Sequence, residues 1–167
     1  MWRIVAGAML AALVAGCSGG NVSASATTSG DGSGGGGKGN AALVTVTVQS
    51  RNGAHVFQVE AARTAAAQER GLMFRTDIPK DGGMLFAPYP PDGPPRAANF
   101  WMKDTPSSLD ILFIRPDHTI ARIEENTVPF SQTLISSGEA VAAVLEINGG
   151  RAGELGINEG DKVSWDR

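Results

Sequence analysis

The chain of 167 residues holds one cysteine, Cys17, and that scarcity removes several chemistries at once. A lone cysteine supports neither an intramolecular disulfide nor a paired-cysteine zinc site, so stability has to come from a packed core. Histidine is nearly as scarce. His55 and His118 are the only two, neither has a metal-ligating neighbour at helical spacing, and no metal or other cofactor is expected. The same shortage argues against a serine–histidine triad, although Ser107 and Ser108 stand close to Asp110. Asp104, Asp110 and Asp161 lack the dense spacing of a calcium loop. Gly149-Gly150 and Gly153 are not followed by the Gly-Lys-Ser or Gly-Lys-Thr of a phosphate loop. Clustered lysine and arginine are also missing from a chain of net charge −3, which leaves no electrostatic footprint for a nucleic-acid partner.

No apolar run reaches the roughly 20 residues that a spanning helix needs. The one run that comes near it has another reading. Arg3 supplies a positive start, Ile4 to Val14 an apolar stretch, and Ala15-Gly16 the small residues a signal peptidase requires, directly before Cys17. This pattern resembles a bacterial lipoprotein signal spanning residues 1–16. The resemblance implies export, cleavage before Cys17 and acylation there, so the expected partner at this end is a membrane, reached through a lipid anchor. Cleavage would leave 13 basic and 17 acidic side chains, with no basic patch to add a second membrane contact. Ser18 to Asn40 is rich in glycine and serine, contains Gly34 to Gly37 in succession, and cannot bury a core. As a flexible coil it would reach roughly 26 Å, enough to hold a folded domain just clear of a membrane. The expected location is the periplasmic face of a cell-envelope membrane. By lipoprotein convention in Gram-negative cells, serine after the acylated cysteine favours the outer membrane.

From Ala41 to Arg167 the composition becomes that of one globular domain. Val44, Val46 and Val48 alternate with Thr45 and Thr47, the period of a half-buried strand, and Asn52-Gly53 is a preferred hairpin turn into His55–Glu60. Thr64 can cap a short alanine-rich helix ending at Arg70, with Gly71 just past its end. Further strands are expected at Gly83–Phe86, Leu109–Ile114, Thr119–Glu124, Val141–Ile147 and Lys162–Trp165, the last entered through a Gly160-Asp161 turn. Strands outnumber helices and most links look like hairpins. The pattern predicts an α+β, mainly β fold: a compact antiparallel sheet or small barrel with one or two short helices. Pro88, Pro90, Pro91, Pro94 and Pro95 make an irregular loop, either a surface insertion or a stiff lip over a cleft.

The densest segment runs from Asn99 to Ile114, with the sequence Asn-Phe-Trp-Met-Lys-Asp-Thr-Pro-Ser-Ser-Leu-Asp-Ile-Leu-Phe-Ile. Together with Gly71-Leu72-Met73-Phe74-Arg75, Gly83-Met84-Leu85-Phe86, Leu145-Glu146 and Gly160-Asp161, it resembles the family called domain of unknown function 192, from about Val56 to Val163. The resemblance implies a compact strand-rich domain and carries no established activity. The family more often has asparagine where this chain has Asp104.

Within the apolar strand Leu109–Ile114, Asp110 shares a face with Leu112 and Ile114. An unpaired carboxylate there would cost several kcal/mol, so a cation or several N–H donors must meet it. Arg75 and Lys103 are the candidate cations, Arg75 the better because its fork can grip a carboxylate. The alternative is a structural Asp110 that pins the Trp101–Ser108 loop through backbone amides. Glu146, between Leu145 and Ile147, reads as a solvent-facing position. Should it converge with Asp110 and Asp104 around Arg75, the set would suit acid–base chemistry. Trp101 and Met102 are either core or a stacking surface for a ligand. The candidate ligand-binding residues are therefore Arg75, Trp101, Met102, Lys103, Asp104, Thr105, Asp110 and Glu146. No complete catalytic set emerges. The leading expectation is an envelope lipoprotein whose domain binds a small polar ligand or an envelope protein through a cleft near Trp101 to Asp110. A carboxylate-dependent hydrolase or lyase on envelope carbohydrate or peptide, and a structural or assembly role, are the alternatives.

Overall fold

Val46, Val48, Phe57 and Val59 are fully buried, whereas Thr47 and Gln58 between the members of each pair are half-buried and exposed. That alternation makes the expected hairpin of β1 (Val44–Ser50) and β2 (Gly53–Ala62), but its turn is Arg51-Asn52, one residue ahead of the expected Asn52-Gly53, because Gly53 already pairs with Ser50. The computed structural model describes residues 43–166, so Cys17, the signal and the tether lie outside the described residues. After β2 the order is α1 (Ala65–Arg70), β3 (Gly83–Phe86), β4 (Arg96–Phe100), β5 (Leu109–Ile114), β6 (Ile120–Glu124), β7 (Ile135–Val141), β8 (Ala143–Asn148), α2 (Arg151–Leu155) and β9 (Lys162–Trp165). Among the described residues, no helix is long and apolar enough to cross a membrane.

Seven strands form one curled sheet, a half-barrel in the order β6-β5-β8-β3-β2-β1-β9. A bridge between Thr119 and Lys162 brings the two edges together at one corner. The fold is thus mostly β with two short helices, as expected. One ladder departs from the antiparallel rule: β2 and β3 pair in parallel, with α1 in the crossover. α1 is bounded as its sequence dictates, since the Thr64 side chain accepts from Ala67 N–H at 3.2 Å and the Gly71 N–H returns to Ala67 O. Two strands were not foreseen. β4 and β7 pair with each other as a separate ribbon, and the expected Val141–Ile147 strand breaks at Ala142 between β7 and β8.

The sheet is covered on both faces. Inside the curl, Val46, Val48, Phe57, Val59, Leu85, Leu112, Ile114, Leu145 and Ile147 pack with Ala152 and Ile157 around α2. On the other face, Met84, Phe86, Leu109, Ile111, Phe113 and Val144 pack beneath Leu72, Ala98, Met102 and Val141. The central strands β3 and β5 are consequently buried along their whole length.

Asp110 is fully buried on the inner face, and its partners differ from the cations expected. Its Oδ1 accepts from the N–H groups of Asn126 and Gly150, and its Oδ2 from Ala152 N–H, each at 2.8 Å. Arg75 instead pairs with Glu60 at 2.7 Å and Asp77 at 3.4 Å. Lys103 lies over the Trp101 ring at 5.6 Å. The pinned segments are also different: Asp110 holds the loop after β6 and the start of α2, not the Trp101–Ser108 loop. Two oxygens that accept three N–H donors suit a carboxylate and not an amide, whose NH2 would face a donor. Asp110→Asn should therefore lose about 3 kcal/mol of stability, read from the midpoint of urea unfolding. An unshifted midpoint would show that the three amides do not depend on the charge.

Candidate functional site

Glu146 is the polar group on the opposite face. Residues 110 and 146 belong to adjacent strands but out of phase, because β5 and β8 pair Asp110 with Ile147 and Ile111 with Glu146. On its other side Glu146 pairs with Met84 of β3. Its side chain therefore projects between Ile111 and Met84, with 4% of the residue exposed. The solvent-facing reading is corrected: α1 and the β4–β7 ribbon cover the face that alternation alone would leave wet. Burial pushes the carboxyl up to about 8 from an ordinary 4.5, and no hydrogen-bond or ion-pair partner reaches it among the described residues. The main chain at this point is tightly held. A Cβ on Gly83, at φ +152°, would stand 2.0 Å from the Glu146 carbonyl oxygen, so only glycine lets β3 approach β8 here.

Above Glu146 opens a cleft of about 350 Å³. α1 and its end give Gln68, Glu69, Arg70 and Leu72; the proline loop gives Tyr89, Pro90 and Pro91; β4 and the residues after it give Arg96, Asn99, Phe100, Trp101 and Thr105. The proline loop is a wall of the cleft, not a mere surface insertion, and it carries cis bonds at Ala87–Pro88 and Tyr89–Pro90. Phe100 is the hub of the apolar wall, with ring centroids 5.1 Å from Phe86, 5.7 Å from Tyr89 and 5.9 Å from Phe113. Gln68 donates through Nε2 to Ala62 O and Pro88 O, which turns its Oε1 into a buried acceptor without a partner. Arg75, Arg115, Arg122 and Arg151 each hold a carboxylate, whereas Arg70 and Arg96 at the cleft have no side-chain partner among the described residues.

Of the sequence candidates, Trp101, Thr105 and Glu146 line this cleft; Arg75, Met102, Lys103, Asp104 and Asp110 do not. Trp101 and Met102 divide the two roles considered for them. Trp101 is 43% exposed at the cleft, while Met102 is buried and accepts the Thr127 hydroxyl at 3.2 Å. Asp104 sits at φ 54°, and its carbonyl accepts from Phe74 N–H at 2.7 Å. Asparagine and aspartate both tolerate that left-handed conformation, which accounts for either residue serving there without an amide role. Asp110, Asp104 and Glu146 do not converge, and among the described residues no cluster of three metal-ligating side chains forms. Gln68, Arg70, Arg96 and Tyr89 carried no motif that spacing could reveal.

The family model of domain of unknown function 192, described as an uncharacterized ACR, matches residues 46–165. The chain belongs to this family. Two solved structures are similar to it in sequence and fold. One is a protein of unknown function from Novosphingobium aromaticivorans, 46% identical, covering 74% of this chain and 85% of its own, with a TM-score of 0.70. The other, from Sinorhizobium meliloti and named as a suggested transcription regulator, is 40% identical, covers 77% and 98%, and has a TM-score of 0.71. No curated protein matches the chain. For this family member, then, the cleft over Glu146 is the feature from which function has to be argued.

A carboxyl whose folded value lies above its unfolded one keeps a proton that the unfolded chain has released. Between about 4.5 and 8, stability therefore falls as pH rises, by up to about 1.4 kcal/mol per pH unit. Glu146→Gln removes that slope, so its advantage over the wild type should grow between pH 5 and pH 8 in urea unfolding. Parallel curves for the two proteins would mean that the carboxyl is not held neutral.

Proposed function

We propose that this family member is a lipid-anchored domain of the cell envelope that binds a small polar ligand in the cleft over Glu146. The observation that carries the ligand reading is the unpartnered carboxyl itself. Packing alone would be served better by an apolar side chain between Met84 and Ile111, since burying a polar group without a partner costs free energy. Groups kept at such a cost are characteristic of binding and catalytic sites. Size and lining agree, because ligand sites are apolar concavities with a few placed polar groups.

Catalysis through a carboxylate pair has less support. Asp110 is sealed on the inner face with both oxygens engaged, and Glu69 at the mouth is the only other carboxylate lining the cleft among the described residues. A partner protein is the second reading. It is favoured by Phe74, Val128, Phe130 and Leu134, all more than half exposed, on loops tied to the cleft edge by Phe74 N–H to Asp104 O and Phe130 N–H to Thr105 O. The regulator name of the Sinorhizobium relative does not extend to this chain, whose net charge of −3 and scattered arginines suit no nucleic-acid surface.

The anchor rests on Cys17 and the residues before it. Cys17→Ser should move the protein from the membrane to the soluble envelope fraction and abolish the mass increment of acylation; a variant that stays with the membrane would overturn the anchor. The cleft has its own test. Screening the protein against a library of small polar metabolites should give saturable thermal shifts that Trp101→Ala abolishes while its unliganded unfolding stays cooperative. An equal shift in the variant would place binding elsewhere.

A further inference from the structure

The polar groups of the cleft also restrict what its ligand can be. Glu146 at the floor and Gln68 Oε1 on the α1 wall have no hydrogen-bond partner among the described residues. Gln68 Oε1 calls for a donor, and the Glu146 carboxyl accepts donors on both oxygens once it gives up its proton. At the mouth are two guanidinium groups, Arg70 and Arg96, that no carboxylate among the described residues neutralises, beside the carboxylate of Glu69. The mouth thus carries net positive charge and disfavours a simple cation. Between floor and mouth the walls are apolar and aromatic, with Phe100 and Tyr89 in contact.

Resting on the reading of this cleft as a ligand site, we infer that its ligand is a zwitterion with an apolar body, an amino acid or short peptide whose free ammonium group meets Glu146 and Gln68 Oε1 while its carboxylate meets Arg70 and Arg96. An ammonium group has three N–H donors, enough for both acceptors, and it supplies the charge that Glu146 lacks in the empty cleft. Arginine holds a carboxylate through paired N–H donors. The aromatic walls suit a peptide carrying an apolar side chain, with Trp101 as the stacking edge.

Proton balance gives this pairing a signature. The complex carries one proton on the ammonium and none on Glu146, so binding below pH 8 releases the proton that burial keeps on the carboxyl. Above about pH 8 the free amine of a peptide loses its own proton. Among the described residues, Glu69, Arg70, Arg96 and Tyr89 are the other titratable groups lining the cleft. Affinity should therefore peak near pH 8.

The test uses the dipeptide Ala-Phe, its N-acetyl form and its C-terminal amide, titrated calorimetrically into the protein. Ala-Phe should bind more than tenfold tighter at pH 8 than at pH 6. The N-acetyl form should bind at least tenfold more weakly than Ala-Phe with no gain over that range, and Glu146→Gln should show the same loss for Ala-Phe. The amide should weaken in the wild type and not in an Arg70→Gln/Arg96→Gln double variant. Equal binding of Ala-Phe and its N-acetyl form overturns the ammonium assignment, and equal binding of the amide overturns the role of the arginines. Absence of saturable binding by Ala-Phe overturns the ligand class. Any of these results leaves the cleft itself to be decided by the metabolite screen with Trp101→Ala, so the two readings fail separately.

Discussion

The carboxylate of Asp110, enclosed by three backbone N–H groups, is the interaction on which the geometry of this domain depends. α2 has five residues, begins at Gly150 in a left-handed conformation and has no side-chain cap of its own. Asp110 provides the missing acceptor from β5, taking the Gly150 and Ala152 N–H groups that the helix start leaves open. The same oxygen that holds Gly150 also holds Asn126, which fixes the chain leaving β6. Gly149 completes the arrangement, since a Cβ there would lie 2.4 Å from Ser108 Oγ. The turn after β8 can thus lie directly against the start of β5, and the β5–β8 ladder keeps one register.

That register has a consequence on the far side of the sheet. With Asp110 opposite Ile147, Glu146 must fall opposite Ile111 and point into the outer core. Two carboxyl groups one register step apart are therefore buried in opposite layers with contrary solvation. Around Asp110 the backbone replaces lost water with three donors; around Glu146 it supplies none, and the group is driven toward its neutral form. The first carboxyl holds the fold. The second is left with unused hydrogen-bonding capacity beside an open cleft.

Local signals in the chain were legible wherever the structure answers to neighbours in sequence. The β1–β2 hairpin follows from alternating valines, with its turn one residue ahead of the expected Asn52-Gly53, and α1 follows from Thr64 and Gly71. Signals failed where the answer lay far along the chain. The parallel pairing of β2 with β3 leaves no mark in either strand, and β7, with Ser136, Ser137 and Gly138, has strand character only because β4 pairs with it. Glu146 departs from its expected solvent-facing position for a related reason: alternation alone implies one wet face, and here both faces are covered. The run Val141 to Leu145 is apolar without interruption, which is the pattern of a strand covered on both sides and could have warned against a solvent-facing Glu146. Asp110 was legible as a buried group that required partners. Backbone donors leave no trace in sequence, and so the choice between them and Arg75 was not.

The cleft is built by the parts of the chain that the seven-stranded sheet does not require for its own closure. α1, the proline loop and β4 with the residues after it make the walls, while the sheet contributes Glu146 and Phe86 beneath them. The edge next to Trp101 is fixed by loops in which Phe74, Asp104 and Phe130 all adopt positive φ, held by Phe74 N–H to Asp104 O and Phe130 N–H to Thr105 O. Bulky residues such as phenylalanine enter that region only where the surroundings impose it, so these loops are formed against their own preference. A floor with an unpartnered acid and an edge held by loops in costly conformations is a preorganised arrangement, in which the ordering cost is met during folding and not at the moment a ligand arrives. Such a division lets the walls set which apolar body fits while the position of Glu146, locked through Asp110 and the glycines at 83 and 149, stays the same.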